Sequence, residues 1–191
     1  MARDRHALIL CRSGFLAVLW YFGAIVPALP QSSALEIAVK ATYLYKIAAF
    51  ITWPPVMPPP TAFNICIVGN DPFGPVLDQA IQGQTIAGLP IVARRFRSLP
   101  DQFACQMIYL SDPGGPPVAL LAAVRSKPAV TVTDGATDPA ARGIINFVIA
   151  DNRVRFEIDN GAAIQSQLTI SSKLLGLAVR VSSGSVPGGD R

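Results

Sequence analysis

The segment Phe63–Gly74, FNICIVGNDPFG, decides the fold. Its first half is a short apolar run with β-branched Ile65, Ile67 and Val68, bounded by turn residues, so it reads as a strand buried on both faces. A helix is expected over residues 72–82. Pro72 suits a first helical turn, Asp71 or Asn70 can cap it, and Val76, Leu77, Ala80 and Ile81 recur at helical spacing. Gly69-Asn-Asp-Pro-Phe-Gly74 also carries the glycine spacing of a phosphate-binding loop. That loop needs Lys and then Ser/Thr after its second glycine, to neutralise phosphate and hold Mg²⁺. Pro75 and Val76 stand there instead, so the segment is a strand, a turn and a helix, and not a nucleotide cradle.

Upstream, residues 35–51 (LEIAVKATYLYKIAAFI) form an expected helix with Glu36, Lys40 and Lys46 on one arc and an otherwise apolar surface. Trp53-Pro54-Pro55 should end it, and Met57 with the three prolines after it makes a stiff connector. Downstream, residues 85–97 carry strand-like residues broken by Gly88 and Pro90, which predicts a hairpin or an edge strand. Residues 106–110 read as a buried strand, 111–115 as a turn, 118–124 as a helix and 129–132 as a strand, with a turn at Asp134-Gly135.

The clearest periodicity lies in residues 143–159, GIINFVIADNRVRFEID. Val154, Phe156 and Ile158 alternate with Arg153, Arg155, Glu157 and Asp159, and Asp151-Asn152 separates this strand from 144–149, which makes an antiparallel hairpin. Residues 162–167 and 173–179 are expected as closing helices around a strand-like 168–170. The Ser/Gly-rich tail, 182–191, is expected to be disordered. The alternation of strands and helices predicts one α/β domain, a mixed parallel and antiparallel sheet flanked by helices in three α/β/α layers.

The amino terminus carries Arg3, Arg5 and Arg12, then an uncharged apolar stretch over 14–26, then small residues around Ala28 and Ser32-Ser33-Ala34. This is the pattern of a secretory signal peptide, 1–34, cleaved after Ala28 or Ala34. The α/β domain then spans 35–181 and the tail 182–191. The exported part is less basic than the formal +4 of the whole chain, because Arg3, Arg5 and Arg12 leave against Asp4 alone. Charged residues make up 15% of the chain against a usual figure of about 25%, which favours a buried core, and no nucleic-acid footprint follows. Cys66 and Cys105 remain after export, either as a disulfide in an oxidising compartment or with Cys66 as a buried strand thiol.

Chemistry is scarce. The single histidine, His6, lies in the leader, so the exported protein has no Ser-His or Cys-His nucleophile and lacks the commonest zinc ligand. Ser171-Ser172-Lys173 suggests a Ser-Lys pair, but sequence neighbours do not face each other on a helix, and Ser171 or Ser172 serves better as a cap. Asp71, Asp112 and Asp134 follow successive strands, where an open α/β sheet binds small ligands if those strands are parallel. Arg94-Arg95-Phe96-Arg97 suits either an acidic partner or a charge-protected edge. Trp53, Tyr43 and Tyr45 suit either a partner or the sheet. The contact candidates are therefore Asp71, Asp112, Arg94, Arg95 and Trp53, with no catalytic, metal or cofactor-binding residue expected.

Residues 38–45 (AVKATYLY) with Phe50 and Trp53-Pro54, FNICIVG with Asp71-Pro-Phe-Gly74, Cys105, Ile145-Asn-Phe-Val148 with Val154-Arg-Phe-Glu-Ile158, and Ser171-Ser-Lys-Leu-Leu175 occur in this order. In this the chain resembles YfiR-type periplasmic proteins. The resemblance implies a periplasmic regulator without catalysis of its own. Such a protein restrains an inner-membrane diguanylate cyclase by binding its periplasmic sensor portion, often with an outer-membrane lipoprotein as counter-binder, and a homodimer is compatible with it. It also implies a Cys66–Cys105 disulfide. The second, more C-terminal cysteine pair of some members has no counterpart, since residues 143–147 contain no cysteine. A small-ligand sensor using the loops around Asn70-Asp71 and Asp112 is the alternative.

Overall fold

In the computed structural model, residues 31–55, 59–100, 102–111 and 118–183 are described. Residues 1–30, most of the leader expected over 1–34, part of the Pro-rich connector, the segment 112–117 with Asp112, and the residues beyond 183 lie outside them, while 31–34 form the start of the first helix.

The 63–82 segment builds the centre. After helix α1 (Gln31–Ala48) and the short strand β1 (Ile51–Thr52), strand β2 (Phe63–Gly69) is buried at every residue but its last. Helix α2 (Pro75–Ile81) starts three residues later than the expected Pro72, with Pro75 as its first residue and Gly74, at φ 50°, preceding it. The cause is local. The Asp71 carboxylate accepts the N–H of Phe73 at 2.8 Å, closing a turn of its own instead of capping a helix. Gly69 has φ +93° and lies so close to β5 (Met107–Ser111) that a Cβ would stand 1.9 Å from the Ser111 carbonyl oxygen, so this position requires glycine.

Residues 85–97 form a hairpin, β3 (Thr85–Ile86) and β4 (Leu89–Phe96). Helix α3 (Val118–Val124) then leads to β6 (Val130–Asp134), and a 3₁₀ turn at Pro139–Ala141 leads to β7 (Ile145–Ala150). The expected hairpin follows. Asp151 and Asn152 take positive φ values of 51° and 57° between β7 and β8 (Arg153–Asp159), the geometry of a two-residue hairpin loop, and Val154, Phe156 and Ile158 are buried as their alternation predicts. Helix α4 (Asn160–Gln165) begins two residues early because Asp159 caps it, accepting from the Ala162 N–H at 2.8 Å. Strand β9 (Thr169–Ile170) pairs with β1, helix α5 (Ser172–Leu175) is one turn long, and β10 (Arg180–Ser182) follows.

The large sheet runs β10-β8-β7-β6-β5-β2-β4-β3. Strands β4, β2, β5, β6 and β7 are mutually parallel, β8 is antiparallel to β7, and β10 lies parallel to β8. Phe63, Ile65 and Ile67 face a core shared with α1 and α2, while Cys66, Val68, Ile108 and Leu110 face a second one under α3. The fold is thus mixed α/β with helices on both faces. Three details depart from expectation. Helix α1 ends at Ala48 and hands the chain to β1 before Trp53 is reached. The helix expected over 173–179 stops at Leu175, and Val179 turns its N–H to the Phe156 carbonyl, 3.0 Å away, on the way into β10. Ser182, expected in a disordered tail, belongs to that strand.

Candidate functional site

The stripe that seats α1 on the sheet contains Ile37, Ala41, Leu44, Ile47 and Ala48. Lys40 falls on the same stripe by its i+3 and i+4 spacing, so packing α1 drives it inward and only 8% of its side chain is exposed. The expected polar arc of Glu36, Lys40 and Lys46 is therefore divided: Lys46 is exposed while Lys40 is buried. A buried ammonium needs partners. Lys40 Nζ donates to Glu36 Oε1 one turn earlier and to Asp134 Oδ2, 2.6 Å away at the end of β6. Tyr109 on β5 donates its hydroxyl to the same Asp134 oxygen at 3.1 Å, and Phe73 meets its ring edge-on at 4.8 Å. Burial first, and the Asp134 charge second, push the Tyr109 hydroxyl far above its ordinary pKa, so it stays a donor. Beside this cluster lies a cavity of about 220 Å³ lined by Glu36, Ile37, Lys40, Phe73, Tyr109 and Asp134 among others.

Of the residues singled out from sequence, Asp134 belongs to this cluster and the other described ones lie elsewhere. Asp71 and Arg95 are brought together: Arg95 Nε lies 2.6 Å from Asp71 Oδ2, and its two terminal nitrogens reach Asp78 and the Gly74 carbonyl. This clasp ties β4 to the loop before α2. Hydrogen bonds to Asp78 and then Asp71 raise the Arg95 pKa, so its charge is permanent. Arg94 points to the other face and donates to Asn64 Oδ1 at 2.9 Å, so the arginine run is divided between two struts. Half-buried Trp53 donates Nε1–H to the Gln106 carbonyl at 3.1 Å and packs edge-on against Phe63. Tyr43 packs against Phe147 and Phe156. Ser171 caps α5, its hydroxyl accepting from the Leu174 N–H.

Cys66 and Cys105 are joined by a disulfide, with Cα atoms 5.9 Å apart, in the core beneath α3. Among the described residues, no group of three or more His, Cys, Asp or Glu is placed to hold a metal ion, no buried side-chain polar atom lacks a hydrogen-bond partner, and no helix is long and apolar enough to cross a membrane. Sequence reasoning singled out Asp134 but missed its partners Lys40 and Tyr109, because the three come from different elements. The available signal was a lysine on the apolar stripe of α1.

Residues 37–179 match a family model described as YfiR/HmsC-like. Comparison with curated proteins finds no match. The matched span runs from the first turns of α1 to the residue before β10, so the chain belongs to the YfiR/HmsC-like family.

Proposed function

We propose that this YfiR/HmsC-like chain is a non-catalytic periplasmic regulator that binds the periplasmic portion of an inner-membrane diguanylate cyclase and holds the cyclase inactive. The observation that carries the reading is the family match across residues 37–179. Two physical features support it. The chain's only histidine is in the expected leader, and the charged clusters around Arg95 and Glu157 are committed as struts within the fold. The β10 side of the sheet also offers a docking edge. Among the described residues strand β10 pairs on one side only, and Leu177, Val179 and Val181 are 60%, 49% and 41% exposed there, with Ile164 of α4 at 65%. Apolar side chains beside an open strand edge suit a protein partner.

Restraint of this kind is population shift. A regulator acts only through its differential affinity for the two cyclase states, and carrying the equilibrium from one extreme to the other takes a preference of about 10⁴-fold. The Cys66–Cys105 bridge stiffens the scaffold that presents the edge, and the leader exports it. Deleting the gene in a strain that retains the cyclase should raise cellular cyclic di-GMP. An unchanged level with the cyclase expressed overturns the reading.

A further inference from the structure

We propose that the cavity between α1 and the carboxyl ends of β5 and β6 is a binding site for a small organic cation, a primary amine carrying a short apolar body. The polar atoms around it are unevenly used. Lys40 directs its ammonium at Glu36 Oε1 and Asp134 Oδ2, and Tyr109 directs its only hydroxyl proton at Asp134. Lys40 thereby uses two of its three N–H donors and Tyr109 its only one, while Glu36 Oε2 and Asp134 Oδ1 accept nothing from the described residues. Those carboxylates are 37% and 31% exposed, so a ligand reaches them from solvent.

Charge points the same way. Two carboxylates face one ammonium, which leaves one negative charge in a partly desolvated recess, where a cation is attracted more strongly than in water. An anion would meet both carboxylates and find no free donor pair. A divalent metal would have two carboxylates with an ammonium held between them, a poor ligand set for a hard cation. Ile37 and Phe73 supply apolar wall, and Phe73 adds an aromatic ring for an ammonium to approach. The volume, about 220 Å³, lies below the range of drug-sized pockets, roughly 300–1,000 Å³, and selects a ligand of few atoms. The site sits at the carboxyl ends of parallel strands, where open α/β sheets take their ligands. An amine there would bridge Glu36 of α1 to Asp134 of β6 and tighten the helix on the sheet, an action separate from partner docking at β10.

The test uses the full exported chain with isopentylamine as the probe and the shape-matched alcohol and acid, isopentanol and isovalerate, as comparisons. At a probe concentration of roughly 10 mM, chosen because so few atoms bind weakly, the amine should raise Tm and give a saturable calorimetric signal, and the two comparisons should do neither. Glu36→Gln keeps the Lys40–Asp134 pair and should weaken amine binding about tenfold or more, the usual loss on removing a charged hydrogen-bond acceptor. Glu157→Gln, an acid outside the cavity, should leave amine binding unchanged. Equal response to all three probes, no response to the amine, or wild-type affinity in Glu36→Gln would each overturn the proposal.

Discussion

Lys40 and Asp134 stand 94 residues apart in the chain and meet at 2.6 Å, joining the first helix to the fourth strand of the parallel set. The ammonium is nearly enclosed and the carboxylate is about one-third exposed. Loss of either partner is therefore costlier than at a surface pair and cheaper than at a fully enclosed one. A double-mutant cycle of Lys40→Met and Asp134→Asn, read by urea denaturation, should give a coupling of about 1–3 kcal/mol. The same cycle at Arg95 and Asp78, which are 37% and 53% exposed, should give less than about 1 kcal/mol.

The disulfide spans 39 residues of sequence. On the chain-entropy model a loop of that length contributes about 4 kcal/mol by restricting the unfolded chain. Replacing Cys66 and Cys105 together by alanine should lower the unfolding free energy by about that amount, measured by urea titration of exported protein. Both sulfurs lie in the core, with Cys66 fully buried, so reductant should reach them only after the fold opens.

Glu157 links three elements, pairing with Arg180 of β10 at 2.7 Å and accepting from Asn146 of β7 at 3.2 Å, with Arg142 nearby. Burial pushes its carboxyl up, but the hydrogen bonds from Arg180 and Asn146 and the charges of Arg180 and Arg142 outweigh it, and the pKa lies below the ordinary 4.5. A carboxylate with a lowered folded pKa adds stability above its unfolded value and loses it as pH falls through the folded one. Tm followed from pH 6 downward should show an acid-side loss below about pH 4.5 that is smaller in Glu157→Gln. Tyr109 works in the opposite direction. Its raised pKa leaves its contribution whole below the ordinary value of 10.0 and removes it as pH rises further, so Tyr109→Phe should flatten the alkaline limb.

Gly69→Ala places a Cβ 1.9 Å from the Ser111 carbonyl oxygen and forces φ +93° on a residue that disfavours it. The partner atom is backbone in a buried sheet and cannot swing aside. Stability should fall by about 3 kcal/mol or more, visible as a lower denaturation midpoint. Gly88→Ala meets no neighbouring atom and should lose only the smaller cost of its positive φ, about 1 kcal/mol.

Leu177 and Ile164 are 60% and 65% exposed, so charged replacements there cost the fold little. Leu177→Asp with Ile164→Asp should leave Tm within about 1–2 °C of wild type, as expected for exposed sites. In the gene-deletion strain this double variant should fail to restore low cyclic di-GMP while the wild-type gene restores it. Full restoration by the variant would move the docking surface away from the β10 edge.

Much of the fold was legible in short windows. The run from Phe63 to Val68, the alternation from Arg153 to Asp159 and the Asp151-Asn152 turn each state their conformation within a few residues, because strand pairing on a half-buried face and a two-residue turn depend on local spacing. The start of α2 was misplaced because Asp71 had two uses for its carboxylate, capping a helix or closing its own turn, and it closed the turn onto the Phe73 N–H while Arg95 of β4 took its second oxygen. Strand β10 was not foreseen: Arg180 and Val181 fell between the expected helix and tail, and Ser182 was assigned to the tail. It is three residues long, its residues are exposed, and its conformation is set by the ladder that β8 offers it.

By itself the sequence placed most strands of the central sheet, predicted that the sheet is mixed and helix-flanked, and showed that the chain's one histidine is His6. Periodicity, turn chemistry and composition are properties of neighbouring residues, and they survive in any reading of the chain. Only the tertiary structure decided that Lys40 turns inward, that Arg94 and Arg95 part to opposite faces, and that a cavity with two half-used carboxylates opens beside Tyr109. Each of these depends on groups distant in sequence becoming neighbours, and the cost of burying a charge is met only when the packed fold delivers its partner.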